Sequence, residues 1–204
     1  ADASGTITDE LLAQVAELGL MYYAIPEALG GAGDERSPVT QMIIAETLAW
    51  GDLGITAAIL TPMGVANALT QWGTATQQSR YLPAFLEEKP LIATMAINEP
   101  SPAFNPLQLK TTARTSGNGF ILDGEKNLVP LGDKAELFLV AAQLDGQGPR
   151  LFLIEAGTDG VSIRKNSGMG LKACATAALK FENVQLDRNA LLGDDSFNYQ
   201  TFLN

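Results

Sequence analysis

Residues 91–132 read LIATMAINEPSPAFNPLQLKTTARTSGNGFILDGEKNLVPLG, and the chain changes character across them. Upstream, apolar residues recur at helical spacing; downstream they fall in short runs bounded by turn residues. The stretch opens with an apolar run, 91–97, that stops at Asn98-Glu99-Pro100. The loop beyond it carries Pro100, Pro102 and Pro106, so it neither continues a helix nor donates to a central ladder. Two strand-like pieces then meet at Gly117-Asn118-Gly119, a hairpin signal, and a further turn is expected at Asp123-Gly124 before 125–129. A rigid loop at a helical-to-β junction is a common position for a ligand, because such junctions form clefts.

Upstream of this stretch, Thr8 is placed to cap a helix with Leu11, Leu12, Val15 and Leu18 on one face, stopped at Gly19. Gly30-Gly31-Ala32-Gly33 reads as a plain turn, since no strand precedes it and the dinucleotide spacing is missing. Ser37-Pro38 opens a second helix, cap then proline, with Val39, Met42, Ile43 and Trp50 on an apolar face. Glu46 shares that face and is expected to be buried or at its rim, paired with a base such as Arg36 or with a helix end. Asp52 caps a third helix that ends near Gly73. Thr74 and Gln77 form a capping-box pattern for a fourth, expected to run through Tyr81-Leu82-Pro83 to about Glu88. Residues 53–70 contain no charge and approach the length of a membrane span. Four polar residues, Pro62 and two glycines within them favour a buried bundle helix.

Downstream, strands are expected at 91–97, 109–115, 119–123, 136–142, 150–154, 161–165 and 176–186, with no helical pattern between them. The fold class that follows is α+β: a helical domain over 1–90, a β-barrel domain over 91–193, and the start of a third, helical element over 194–204. Asp194 or Ser196 is expected to cap that last element. Its Phe197, Tyr199, Phe202 and Leu203 call for a continuation or a partner to bury against.

Composition removes several classes of function. A hydrophobic share of 46% over 204 residues suits a globular chain with a sizeable core. A net charge of −10 disfavours nucleic acid and anionic membrane surfaces, and an anionic substrate would need local positive groups. The lone Cys174 allows no internal disulfide, which points to a reducing compartment, the cytoplasm. No histidine is present, so histidine-based nucleophile systems and metal motifs are out. The first ten residues lack a basic start and an apolar core, so no secretory signal is visible. Cys174 reads as a packed thiol and Lys126 as a solvated surface lysine.

The order of an apolar strand, Glu99-Pro100, a loop, Lys110-x-x-Ala113-Arg114, a glycine turn and Leu122-Asp123-Gly124-Glu125-Lys126 resembles the acyl-CoA dehydrogenases. Other pieces are similar in the same order: Glu17-Leu18-Gly19-Leu20, Ile25-Pro26-Glu27, Gly73-Thr74 with Tyr81-Leu82-Pro83, Phe181-Glu182-Asn183-Val184 and Leu191-Leu192-Gly193. The resemblance spans nearly the whole chain. It implies an oligomeric flavoprotein oxidoreductase of fatty-acid metabolism that binds FAD and desaturates an acyl-CoA or another acyl thioester. It also implies that the catalytic glutamate belongs to a C-terminal helical bundle outside this sequence.

Carried over residue by residue, the family's flavin contacts fall on Met95, Ala96, Asn98, Phe104, Leu128 and Pro130. Met95 and Ala96 keep the strand that offers backbone to the flavin. Asn98 stands where the family has threonine and still carries a donor and an acceptor. Phe104 replaces a serine at the pyrophosphate or thioester end, Leu128 replaces a stacking aromatic, and Pro130 replaces a flavin-contacting threonine. Two readings follow: an FAD-linked acyl-CoA dehydrogenase-like enzyme with a divergent site, or a non-catalytic, FAD-free relative acting as a binding or assembly subunit.

Overall fold

The computed structural model describes residues 7–33 and 37–203. Thr8 caps α1 (Asp9–Glu17), and Gly19 separates it from the short α2 (Leu20–Ala24). Ser37 caps α3 (Pro38–Gly51), with Pro38 at the first position. Asp52 caps α4 (Leu53–Trp72) by accepting from the Ile55 amide at 2.9 Å. Thr74 and Gln77 form the reciprocal capping box of α5 (Ala75–Tyr81). That helix ends earlier than the sequence suggested, because Pro83 has no N–H to continue it, and a 3-10 turn, Pro83–Leu86, follows.

All seven expected strands are present: β1 (Ala93–Ala96), β2 (Thr112–Ser116), β3 (Gly119–Val129), β4 (Leu137–Leu144), β5 (Gly148–Glu155), β6 (Val161–Lys165) and β7 (Ala177–Asp187). They form one curled mixed sheet in the order β1-β4-β2-β3-β7-β6, with β5 pairing β4. The expected turn at Asp123-Gly124 is instead an irregularity inside β3. The β3–β7 register shifts between Leu122 and Gly124, and the strand runs on to Val129.

The helices pack on one face of this sheet and share its core. Val65 and Leu69 of α4, with Leu82 and Phe85, meet Leu137 and Leu139 of β4 and Leu151 and Leu153 of β5. The opposite face of β4, Phe138 and Val140, fills the inside of the curl with Phe120, Leu122, Phe152 and Phe181. Burial on both faces explains why β4 reads as a continuous apolar run.

α4 is long and apolar enough to span a membrane, yet 44% of its most apolar window is buried here, and the helix lies against β1. Gly64 permits that contact: a Cβ at this position would come within 2.9 Å of the Met95 methyl. The chain closes with α6 (Tyr199–Leu203), where Asn198 accepts from the Thr201 amide. Phe197 and Tyr199 are already buried in the helix–sheet core, and Phe197 sits edge-on to Trp72. Phe202 and Leu203, the other two apolar residues of this segment, pack against the same core but stay partly exposed.

The apolar face expected on α3 is the other departure. Val39, Met42 and Ile43 point outward, and Trp50 is 94% exposed. Glu46 is exposed with them rather than buried, and its expected partner Arg36 lies outside the described residues.

Candidate functional site

The motif pieces that suggested a family converge on one buried node. Glu99 follows β1, Lys110 and Thr111 precede β2, and Lys126 sits two-thirds along β3. Lys126 Nζ lies 2.9 Å from Glu99 Oε1 and donates at 3.0 Å to the Ile97 carbonyl. The Thr111 and Lys110 amides donate to the two Glu99 oxygens, each at 2.8 Å. The Lys126 side chain is 0% exposed, so the solvated lysine expected from the sequence is wrong. The strand's alternation brings this residue to the inner side, and Glu99 supplies the counter-charge that makes its burial tolerable. Burial pulls the Lys126 ammonium down to about 8, against the opposing pull of Glu99. Burial pushes the Glu99 carboxyl up, but the Lys110 amide, the Lys126 ammonium and Thr111 outweigh it and hold it below the ordinary value.

Gly124 makes room for this node. Its φ is +147°, and a Cβ there would fall 2.6 Å from Thr111 Cα. The glycine of the Asp-Gly-Glu-Lys segment therefore keeps Thr111 close enough to bond Glu99, which gives the motif a physical cause.

The node aligns the outer ends of β1 and β3. The Asn127 amide donates to the Asn98 carbonyl at 2.8 Å, and the Thr94 hydroxyl donates to the Pro130 carbonyl at 2.7 Å. Asn127 Oδ1 accepts from the Leu128 amide at 2.9 Å and from Asn166 Nδ2 at 2.8 Å. Those bonds support Leu128 at φ +53°, where a branched side chain is rarely found. The parts played by Thr94 and Lys126 were missed in the sequence reading, whereas Asn127 opens one of the two stretches, 98–105 and 127–132, expected to line a cleft at this junction. The Glu-Lys pair itself was the available signal for Lys126.

Asn98 and Leu128 stand exposed on the same open edge, Leu128 at 55%. Met95 is half-buried against α4, and Ala96 is fully buried inside the curl. Pro130 is joined to that edge through its carbonyl and offers no donor. Phe104 packs against the helix–sheet core that also receives Met95 and Ile97. Cys174 is buried, and desolvation pushes its thiol up, as a structural cysteine requires. Asp187 caps the turn after β7 by accepting from the Asn189 amide at 2.6 Å.

An exposed amide with donor and acceptor, beside an apolar side chain and two adjoining strand ends, fits the rim of a flat conjugated ring in part. Asn98 and Leu128 suit it; Pro130 and Phe104 contribute no polar group to it.

Residues 1–89 match the family model described as acyl-CoA dehydrogenase, N-terminal domain, and residues 94–184 match acyl-CoA dehydrogenase, middle domain. The chain therefore belongs to the acyl-CoA dehydrogenase family. It is 28% identical over 211 residues to a probable medium-chain specific acyl-CoA dehydrogenase of Caenorhabditis briggsae, covering all of this chain and 51% of that one. The butyryl-CoA dehydrogenase structure from Megasphaera elsdenii superposes with a TM-score of 0.85 at 25% identity, over 97% of this chain and 54% of that one. A glutaryl-CoA dehydrogenase from Mycobacterium smegmatis, solved with FADH2, gives 0.84 at 27% identity, over 94% and 49%. The chain spans about half the length of these relatives.

Proposed function

We propose that this chain is the N-terminal and middle portion of an FAD-linked oxidoreductase that desaturates an acyl thioester such as an acyl-CoA. One observation carries the reading: the Asn127–Asn98 backbone bond sets the Asn98 amide and Leu128 on one open edge, backed by the Glu99–Lys126 node. In this reading Met95, Ala96, Asn98, Leu128 and Pro130 line the flavin, and Phe104 lies toward its pyrophosphate or the thioester. FAD, when bound, supplies the two-electron acceptor. The residues of this chain orient it and shield one side from water. Glu99 is not the base, because it is buried and both its oxygens are already occupied by two amides and an ammonium. Folding units over 1–90, 91–193 and 194–204, a homo- or hetero-oligomeric assembly and a cytoplasmic location belong to the same proposal.

The test is FAD titration of the whole protein, followed by anaerobic addition of short- and medium-chain acyl-CoA and only then of an artificial electron acceptor. Uptake of FAD that weakens several-fold in Asn98→Ala, with flavin bleaching on substrate addition, supports the reading. A protein that takes up no FAD overturns it. Pro130 and Phe104 favour a second reading, an FAD-free binding or assembly subunit. That reading gains if the colourless protein co-purifies with a flavin-bearing partner, and it loses if FAD binds.

A further inference from the structure

A second cavity, of about 340 Å³, opens between α1 and α4. Its walls are Leu12, Val15 and Ala16 from α1, Met21 from α2, and Ile59 and Pro62 from α4. Leu91, Ile92 and Leu131 close its floor. The volume lies within the range of about 300–1,000 Å³ typical of small-molecule sites.

This cavity is separate from the flavin edge. Ile59 and Pro62 face it, whereas Gly64 receives Met95 on the other side of α4, about 170° round the helix at 3.6 residues per turn. α1 is also short of apolar cover. Leu11, Leu12 and Val15 recur at helical spacing and reach a small core cluster with Ile7, Ala58 and Leu131, yet no residue of α1 is buried. An apolar occupant would complete that burial.

The mouth narrows the chemistry of the head group. Asp9 stands there but is paired with Lys134 at 2.6 Å, and Glu88 and Lys89 stand beside it, exposed. Two carboxylates are matched by two ammonium groups. A charged head would meet a like charge as readily as an opposite one, whereas an uncharged hydroxyl or amide finds donors and acceptors at no such cost. We propose that this cavity binds a linear aliphatic molecule with an uncharged polar head, its chain between α1 and α4 and its head among Asp9, Glu88 and Lys89. The site does not depend on flavin. Its floor adjoins the flavin edge, since Ile92 precedes β1 and Leu131 follows Pro130.

The probe is 1-decanol, titrated into the whole protein while methionine methyl signals are followed by NMR. The Met21 methyl is expected to shift saturably, and the Met95 methyl, across α4, to stay in place. Ala16→Phe fills the interior, and Ala13→Trp narrows the mouth from an exposed position. Each should weaken decanol at least about tenfold, roughly the contact of two methylenes. Decanoate should bind about tenfold more weakly than decanol. No saturable shift of Met21, or equal affinity in Ala13→Trp, removes the site. Tighter binding of decanoate overturns the uncharged head. If Ala16→Phe does not fold, Ala13→Trp decides alone.

Discussion

Residues one or two positions apart in this chain have opposite surroundings. Glu99 and Lys126 are sealed, mutually paired and bonded to backbone, while their neighbours Asn98 and Leu128 are exposed on an open edge. The contrast has two sources. Asn98 and Glu99 are successive residues whose side chains leave opposite sides of the chain. Leu128, two positions beyond Lys126, turns outward at φ +53° where the β3–β7 register shifts between Lys126 and Val129. The lesson of the contrast concerns what each half of a motif is for. The Glu-Pro and Gly-Glu-Lys pieces are structural: they build an ion pair that fixes two strand ends. The side chains beside them bear no such duty, and three of the four carried-over side chains that depart from the family pattern (Leu128, Pro130 and Phe104) lack a polar group.

Breaking the sealed half should have the largest effect. Glu99→Ala strands the Lys126 ammonium and two backbone amides in the interior, and a broken buried pair costs about 3–5 kcal/mol. Urea denaturation should show that loss for Glu99→Ala and for Lys126→Ala. The double change Glu99→Gln with Lys126→Met should recover much of it, because no buried charge is left alone. Full cost in the double variant would mean that packing, not charge, holds the node.

Gly124→Ala tests the same framework from the backbone side. A Cβ at φ +147° would fall on Thr111 and push it from Glu99. The expected destabilisation is about 1–3 kcal/mol, read from the denaturation midpoint. An unchanged midpoint would mean that Thr111 moves away freely.

The node also leaves a signature in pH. Lys126 titrates at about 8 in the folded chain and at the ordinary 10.5 when unfolded. Between those values the unfolded chain holds a proton that the folded chain has lost, so this residue makes stability rise with pH. Glu99 acts at the acid end, where its lowered value contributes stability that is lost as pH falls through it. Relative to Lys126→Met, the parent should gain stability from pH 8 to 10, with a slope approaching one proton. Parallel profiles would mean that Lys126 stays charged.

Much of the fold was legible because its signals are local. Thr8, Ser37, Asp52 and Thr74 each cap where their residue type and position suggested. The seven strands followed from short apolar runs bounded by turn residues. The errors arose where tertiary contacts decide. Lys126 looks like any surface lysine until β3 brings it over Glu99, two segments 27 residues apart. The α3 face has a core-like spacing, but spacing does not say which side of a helix meets the sheet. Asp123-Gly124 reads as a turn because glycine signals one; here it relieves crowding within a longer strand. At the candidate site, Asn98, Leu128 and Pro130 came from the resemblance, and their juxtaposition required the strand ends that the node sets.

The exposed half should yield the smallest effect on stability, and that is what makes it informative. Asn98 has an exposed side chain outside the node, so Asn98→Ala should leave stability within about 0.5 kcal/mol of the parent. If the edge receives flavin, the same change removes one hydrogen bond worth about 1 kcal/mol, a loss of about fivefold in FAD affinity. Thermal melts without cofactor and FAD titrations on the same preparations separate the two. Lost stability would assign Asn98 to the framework and erase the contrast with Glu99. Unchanged stability with unchanged FAD affinity would keep the contrast but place the flavin elsewhere. Only the combination of an undisturbed fold and a weakened cofactor makes the division between framework and contact a division of function.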